Sequence, residues 1–251
     1  MDAKRISGAW AWAKTIAITL TIALYGVCRA DPIPTPQYLP NELLYMPILS
    51  SEIDTYWKDH PAKSIFAAQV RQETCAGLKS KFCWSPYAEL KTSREYGFGL
   101  GQITITSQFN NFTEATKMDK SMKDWTWENR YNAAYQLRTL VLTVRNAYSK
   151  FDWASDPDER LAFAIASYNG GIGGVLSDRT VCGVTPLCDK YVWFGNVEHT
   201  SKKAKVPISG YGKSFFQVNR EYVRHIVCEY PARYTSFFNE PHRVIMRCIT
   251  N

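Results

Sequence analysis

The cysteines constrain this chain most. Seven are present, at Cys28, Cys75, Cys83, Cys182, Cys188, Cys228 and Cys248. Six of them fall into local couples: Cys75 with Cys83, Cys182 with Cys188, and Cys228 with Cys248. Six cysteines allow many connectivities, and proximity in sequence favours these three short bridges. Disulfides persist in oxidising compartments, so the expected fold has its loops stapled outside the cytosol. The alternative, six free buried thiols, suits an exported protein poorly.

Cys28 sits in a segment of another kind. Lys4, Arg5 and Lys14 precede the uncharged run TIAITLTIALYGV, Thr15 to Val27. A bilayer-spanning helix needs about 20 apolar residues, and this run is shorter. It has the size of the apolar centre of a secretory signal. Cys28-Arg29-Ala30 before Asp31-Pro32 offers cleavage after Ala30. Residues 1–30 therefore read as a signal peptide or, if retained, as an N-terminal anchor in which Lys14 snorkels to the headgroups. Tyr25-Gly26-Val27 before Cys28 makes a poor lipoprotein signal. Export is expected either way, to the periplasm, with membrane contact only if the segment stays. Cleavage would remove Cys28 and leave an even cysteine count.

Composition narrows the class further. The chain has 251 residues, 45% of them hydrophobic, enough for a real core and against disorder. The formal charge of +7 is spread along the chain, which argues against nucleic acid as a partner. Cleavage after Ala30 would remove four basic residues against Asp2, taking +3 and leaving +4. No CxxC pair occurs, and His60, His199, His225 and His242 lack ligand spacing, so neither metal nor cofactor is expected.

Prolines at 32, 34, 36 and 40 mark residues 31–42 as an extended linker, with one mainly helical domain over 43–251. His60-Pro61 predicts a helix start, with proline at the first helical position. Phe66, Val70 and Glu73 then share one helical face. Burial on that face and the negative end of the helix dipole would both raise the pKa of Glu73. Residues 129–148 predict a strong helix with Leu137, Val141, Val144 and Tyr148 as its stripe. Asp156-Pro157-Asp158-Glu159 predicts another, carrying Leu161, Ala164, Ile165 and Tyr168 and ending at Asn169-Gly170-Gly171. Residues 180–212 read as loop, and a last helix is expected near 217–227.

Four motifs then stand in order: Gln72-Glu73-Thr74; Ser93-x-x-Tyr96-Gly97-Phe98-Gly99-Leu100-Gly101-Gln102; Ala166-Ser167-Tyr168-Asn169-Gly170-Gly171; and Arg220-Glu221-Tyr222-Val223. Over roughly residues 60–228 this order resembles the lysozyme-like soluble lytic transglycosylases, relatives of goose-type lysozyme. The resemblance implies a mainly α, lysozyme-like catalytic domain that cleaves peptidoglycan glycan strands. It implies Glu73 as the catalytic acid and Tyr168 as its catalytic helper. Ser93, Gly99, Gln102, Asn169 and Tyr222 would bind substrate. Small exported members of the family serve conjugation or secretion machines, and others belong to phages. The chain departs from the family in an insertion between Glu73 and Ser93, bracketed by Cys75 and Cys83. Tyr96 and Gly101 stand where the family has Gly and Met, and Val218 where it has Glu.

The residues fit this chemistry on their own terms. Protonating a glycosidic oxygen near neutral pH needs a carboxyl of raised pKa. Most glycosidases add a second carboxylate; the transglycosylases are understood to use one glutamate as acid and then base. Glu95 keeps a hydrolase reading open, and Glu89 is a weaker second carboxylate. A wall-binding subunit with a dead lysozyme-like fold is the non-enzymatic rival. Other residues have bland readings: Tyr168 as core, Gln102 as a turn cap, His199 as a loop histidine. Trp193, Phe194 and Tyr211 read equally as core or as sugar platforms.

Overall fold

The computed structural model describes residues 37–76, 78–203, 205–207, 212–241 and Cys248. The expected signal or anchor, Cys28, Tyr211, His242 and the linker up to residue 36 lie outside them. Seven α-helices and one small sheet make up the described part, which is mainly helical. No helix among the described residues is long and apolar enough to cross a membrane.

Helix α1 spans Pro40–Tyr56. It begins inside the stretch read as linker, because Pro40 opens the helix and the Glu42 carboxylate accepts the Leu39 N–H at 2.7 Å. Helix α2, Lys63–Cys75, starts two residues later than Pro61 predicts. A carboxylate from the far end of the chain, that of Glu240, accepts the N–H groups of Lys63 and Ser64 and caps the helix there.

Three short strands follow: β1 (Glu89–Lys91), β2 (Glu95–Phe98) and β3 (Ile103–Thr106). They form one antiparallel sheet in the order β1-β2-β3, with Tyr96 opposite Lys91 on one side and Ile105 on the other. Helix α3 is the short Asn111–Ala115. Helix α4, Ala133–Lys150, starts later than expected because Asn132 supplies its cap, accepting from Ala134 and Tyr135 N–H. Its predicted stripe is buried at Leu137, Val141 and Val144, with Tyr148 at the margin.

Helix α5, Pro157–Gly170, begins and ends where the sequence places it. Asp156 accepts from Asp158 and Glu159 N–H, and Gly171 takes φ +73°. Residues Leu161 to Ala166 are all fully buried, so α5 is covered on every side. Helix α6, Ile172–Gly183, follows at once where a loop was expected from 180. Helix α7, Phe215–Arg224, starts at the Ser214 cap and widens into a π-type turn, His225–Glu229.

The main core joins α1, α2, α4, α5, α6 and α7 around Phe66, Leu140 and Ile165. A second cluster under the sheet holds Phe98, Ile103, Phe112 and Trp125. The three expected cysteine couples are bonded, Cys75–Cys83, Cys182–Cys188 and Cys228–Cys248. Such bridges fit an oxidising, exported compartment.

Candidate active site

Glu73 lies in the last turn of α2, on the face that buries Phe66 and Val70. Burial pushes its carboxyl up to about 8, and the hydrogen bond from Tyr222 pulls weakly the other way. Tyr222, on α7 and nearly buried, donates its hydroxyl proton to Glu73 Oε1. The same hydroxyl accepts from Gln69 Nε2 at 3.1 Å. Gln69 is fully buried one turn before Glu73 on α2. The relay Gln69–Tyr222–Glu73 therefore fixes both the position and the polarity of the tyrosine hydroxyl. Burial and the nearby Glu73 raise the pKa of Tyr222 well above that of a free tyrosine, so it stays a donor.

Tyr168 stands beside this relay. Its ring stacks on Tyr222 with centroids 6.5 Å apart and planes 6° from parallel. Its hydroxyl donates to Gly101 O at 2.7 Å, which leaves the oxygen lone pairs free. Gly101 has to be glycine here, because a Cβ would sit 2.7 Å from that hydroxyl. Burial and the Glu73 charge hold Tyr168 protonated too. The structure thus brings together Glu73, Tyr168 and Tyr222 from three helices distant in sequence.

The other expected residues fare differently. Asn169 is exposed and its Oδ1 accepts from Asn219 Nδ2 at 3.1 Å, so it stands at the end of α5 next to Tyr168. Gln102 turns its amide back on its own loop, donating to Gly99 O at 3.0 Å, and so acts as a turn cap. It nonetheless lines a cavity of about 390 Å³ together with Tyr168. Gly99 takes φ +79°, and a Cβ would lie 2.4 Å from the Gln136 amide carbon, so its missing side chain makes room for Gln136. Gln136 is fully buried and ties the loop to α4 by accepting from Leu100 N–H at 2.9 Å. Ser93 sits exposed at the turn of the β1–β2 hairpin, and no contact among the described residues joins it to Glu73.

Glu95 lies on β2, away from the burial and the Tyr222 hydrogen bond that set the pKa of Glu73. Glu89 accepts from the hydroxyls of Tyr96 and Tyr131, which hold its carboxyl below the usual range, so it is an ionised partner in an aromatic cluster. Trp193 is fully buried and Phe194 nearly so, which makes both core. His199 is exposed, with Nε2 3.6 Å from Glu198 Oε1. Arg220, from the last motif, is structural: its guanidinium reaches buried Asp178 at 2.9 Å and the carbonyls of Glu198 and Thr200. Among the described residues no group of His, Cys, Asp and Glu could hold a metal ion.

Sequence reasoning missed Gln69, Gln136 and Asn219. Gln69 alone carried a signal, as a lone polar residue one turn from Glu73 in the run SIFAAQV. No family model matches this chain, and no curated protein matches it.

Proposed function

We propose that this protein is an exported lytic transglycosylase with a lysozyme-like fold. It cleaves the β-1,4 bond between N-acetylmuramic acid and N-acetylglucosamine in peptidoglycan. The observation that carries this reading is Glu73: a carboxyl raised to about 8 by burial and held by a tyrosine, with no carboxylate among the described residues contributing to its shift.

At neutral pH Glu73 is mostly protonated and can give its proton to the glycosidic oxygen as the C1–O bond breaks. The departing sugar leaves as an alcohol, and Glu73 becomes a carboxylate. Positive charge develops at C1 of the muramoyl unit. Tyr168, with its proton committed to Gly101, can present oxygen lone pairs to that charge. The carboxylate then takes the proton of the same sugar's C6 hydroxyl as that oxygen bonds to C1. A 1,6-anhydro ring closes, Glu73 regains its proton, and no water is consumed. Tyr222 keeps the carboxylate in place through both steps and stabilises its charged stage.

The first test is clearing of purified sacculi by Glu73→Gln. This variant keeps an acceptor for Tyr222 and loses the transferable proton. Its rate should fall by at least about 100-fold, the usual share of a general acid, while Glu95→Gln retains activity. Clearing by Glu73→Gln at the wild-type rate would reject the assignment.

A further inference from the structure

Gln69 is an odd residue for the place it holds. Its neighbours Phe66, Ala67, Ala68 and Val70 are fully buried, and so is Gln69 itself. Its Nε2 has a partner, the Tyr222 hydroxyl at 3.1 Å, but its Oε1 is buried with no hydrogen bond among the described residues. An unpaired buried carbonyl is costly. A methionine of similar length would fill the space without one. Packing therefore does not account for the amide, and its effect on Tyr222 does.

A tyrosine hydroxyl has one proton to give and lone pairs to receive. At Tyr222 two side chains stand ready to take that proton, Glu73 and Gln69. An amide that turns its N–H to the hydroxyl cannot take it, so the proton goes to Glu73 Oε1. When Glu73 is neutral, the oxygen that accepts from Tyr222 serves as its carbonyl, and the acid's own proton sits on Oε2. Oε2 makes no hydrogen bond among the described residues, yet it is not a buried orphan, and Glu73 is half-buried. This oxygen therefore keeps an open side. With an apolar residue at position 69, the carboxyl is free to put its proton on Oε1 and donate it to the tyrosine oxygen, where no substrate can take it. Tyr168 on α5 and Tyr222 on α7 are the titratable groups that face Glu73, and both stay protonated.

We infer that Gln69 is a positioning residue that confines the transferable proton of Glu73 to Oε2, the oxygen open to a substrate. It acts through Tyr222 and is buried too deeply to touch a sugar. This rests on the transglycosylase reading only for the step that uses the proton, since the placement itself needs no substrate. In that step Oε2 gives its proton to the glycosidic oxygen. The same relay then keeps Tyr222 donating to the carboxylate that remains, and the Gln69 N–H strengthens that donor by polarising it.

Titration tests this apart from catalysis. Gln69→Met and Gln69→Leu keep the buried volume and lose the donor. Carbon-13 NMR of the Glu73 carboxyl in the full-length protein follows its ionisation with no substrate present. Both variants should titrate above the wild-type value of about 8, because the carboxylate loses part of its support from Tyr222. On sacculi their kcat should fall about three- to tenfold with KM unchanged, and the alkaline limb of kcat/KM should move up with the titration. In a Tyr222→Phe background Gln69→Met should add nothing to the loss, since its route to Glu73 is already cut. An unchanged Glu73 titration in both variants, or a kcat loss that persists undiminished in the Tyr222→Phe background, would overturn the inference. A raised titration in the variants, with a wild type that cleaves no sacculi, would instead defeat the transglycosylase reading and leave the role of Gln69 standing.

Discussion

Burial keeps the Glu73 proton in place, and that same burial couples the site to folding. The carboxyl titrates near 4.5 when free and near 8 in the folded protein. Between these values the native state holds a proton that the unfolded chain has released. Stability therefore falls as pH rises through this window, and the loss is complete above about 8. Below 4.5 both states are protonated and the penalty vanishes. Glu73→Gln has no proton to lose, so it should melt higher than wild type at pH 8 and alike at pH 4. Glu73 retains some solvent contact, so the expected gain is about 1–3 kcal/mol, or several degrees in Tm. A Tm difference that ignores pH would count against a buried, protonated Glu73. Catalysis should follow the same group. The profile of kcat/KM should fall above about pH 8 as Glu73 ionises. It should lack a separate acid limb near 4, which a second essential carboxylate would add. Tyr222→Phe removes the donor that steadies the carboxylate, and should lower kcat by about tenfold or more while the protein stays folded.

Among the elements, what was local in cause was legible in sequence. Helix α5 carries its own start in Asp156-Pro157 and its own stop at Gly171, and both hold. Glu73 was legible because the period of α2 puts it among apolar residues that are indeed buried. What depends on distant partners was not. The start of α2 is fixed by Glu240, and the site roles of Gln69 and Asn219 exist only through Tyr222 and Asn169. The strands have three or four residues, too short for a period to show. Helix α6 was hidden by its glycines, which packing explains in part: a Cβ on Gly174 would lie 3.0 Å from Lys203 Nζ. A second buried acid shows how the elements are tied. Glu42 on α1 is fully buried, which alone would raise its pKa. Arg233 at 2.7 Å, the Leu39 N–H and the Tyr234 hydroxyl overcome this and hold the carboxyl below its usual range. This clamp joins the first helix to the end of the domain. Arg233→Met should cost about 3 kcal/mol in urea unfolding, and adding Glu42→Gln should recover part of it. A loss within 0.5 kcal/mol would mean the ion pair is not holding α1.

At the scale of the molecule, three local bridges hold the ends of elements rather than joining distant lobes. Cys75–Cys83 closes the loop directly after the helix of Glu73, and just outside the bridge Thr74 Oγ1 accepts the Trp84 N–H at 2.9 Å. Non-reducing peptide mapping of the secreted protein should recover the three couples, and a link between Cys75 and Cys182 would refute this arrangement. Because the loop is short, Cys75→Ser with Cys83→Ser should cost about 2–3 kcal/mol by loop entropy. The mass of the product reads the bond-breaking step directly. Mass spectrometry of sacculus digests by the wild-type protein should show muropeptides ending in 1,6-anhydro-N-acetylmuramic acid, lighter by one water than reducing-end products, and Glu73→Gln should release neither. Reducing-end muropeptides from the wild type would contradict the account and mark the enzyme as a hydrolase.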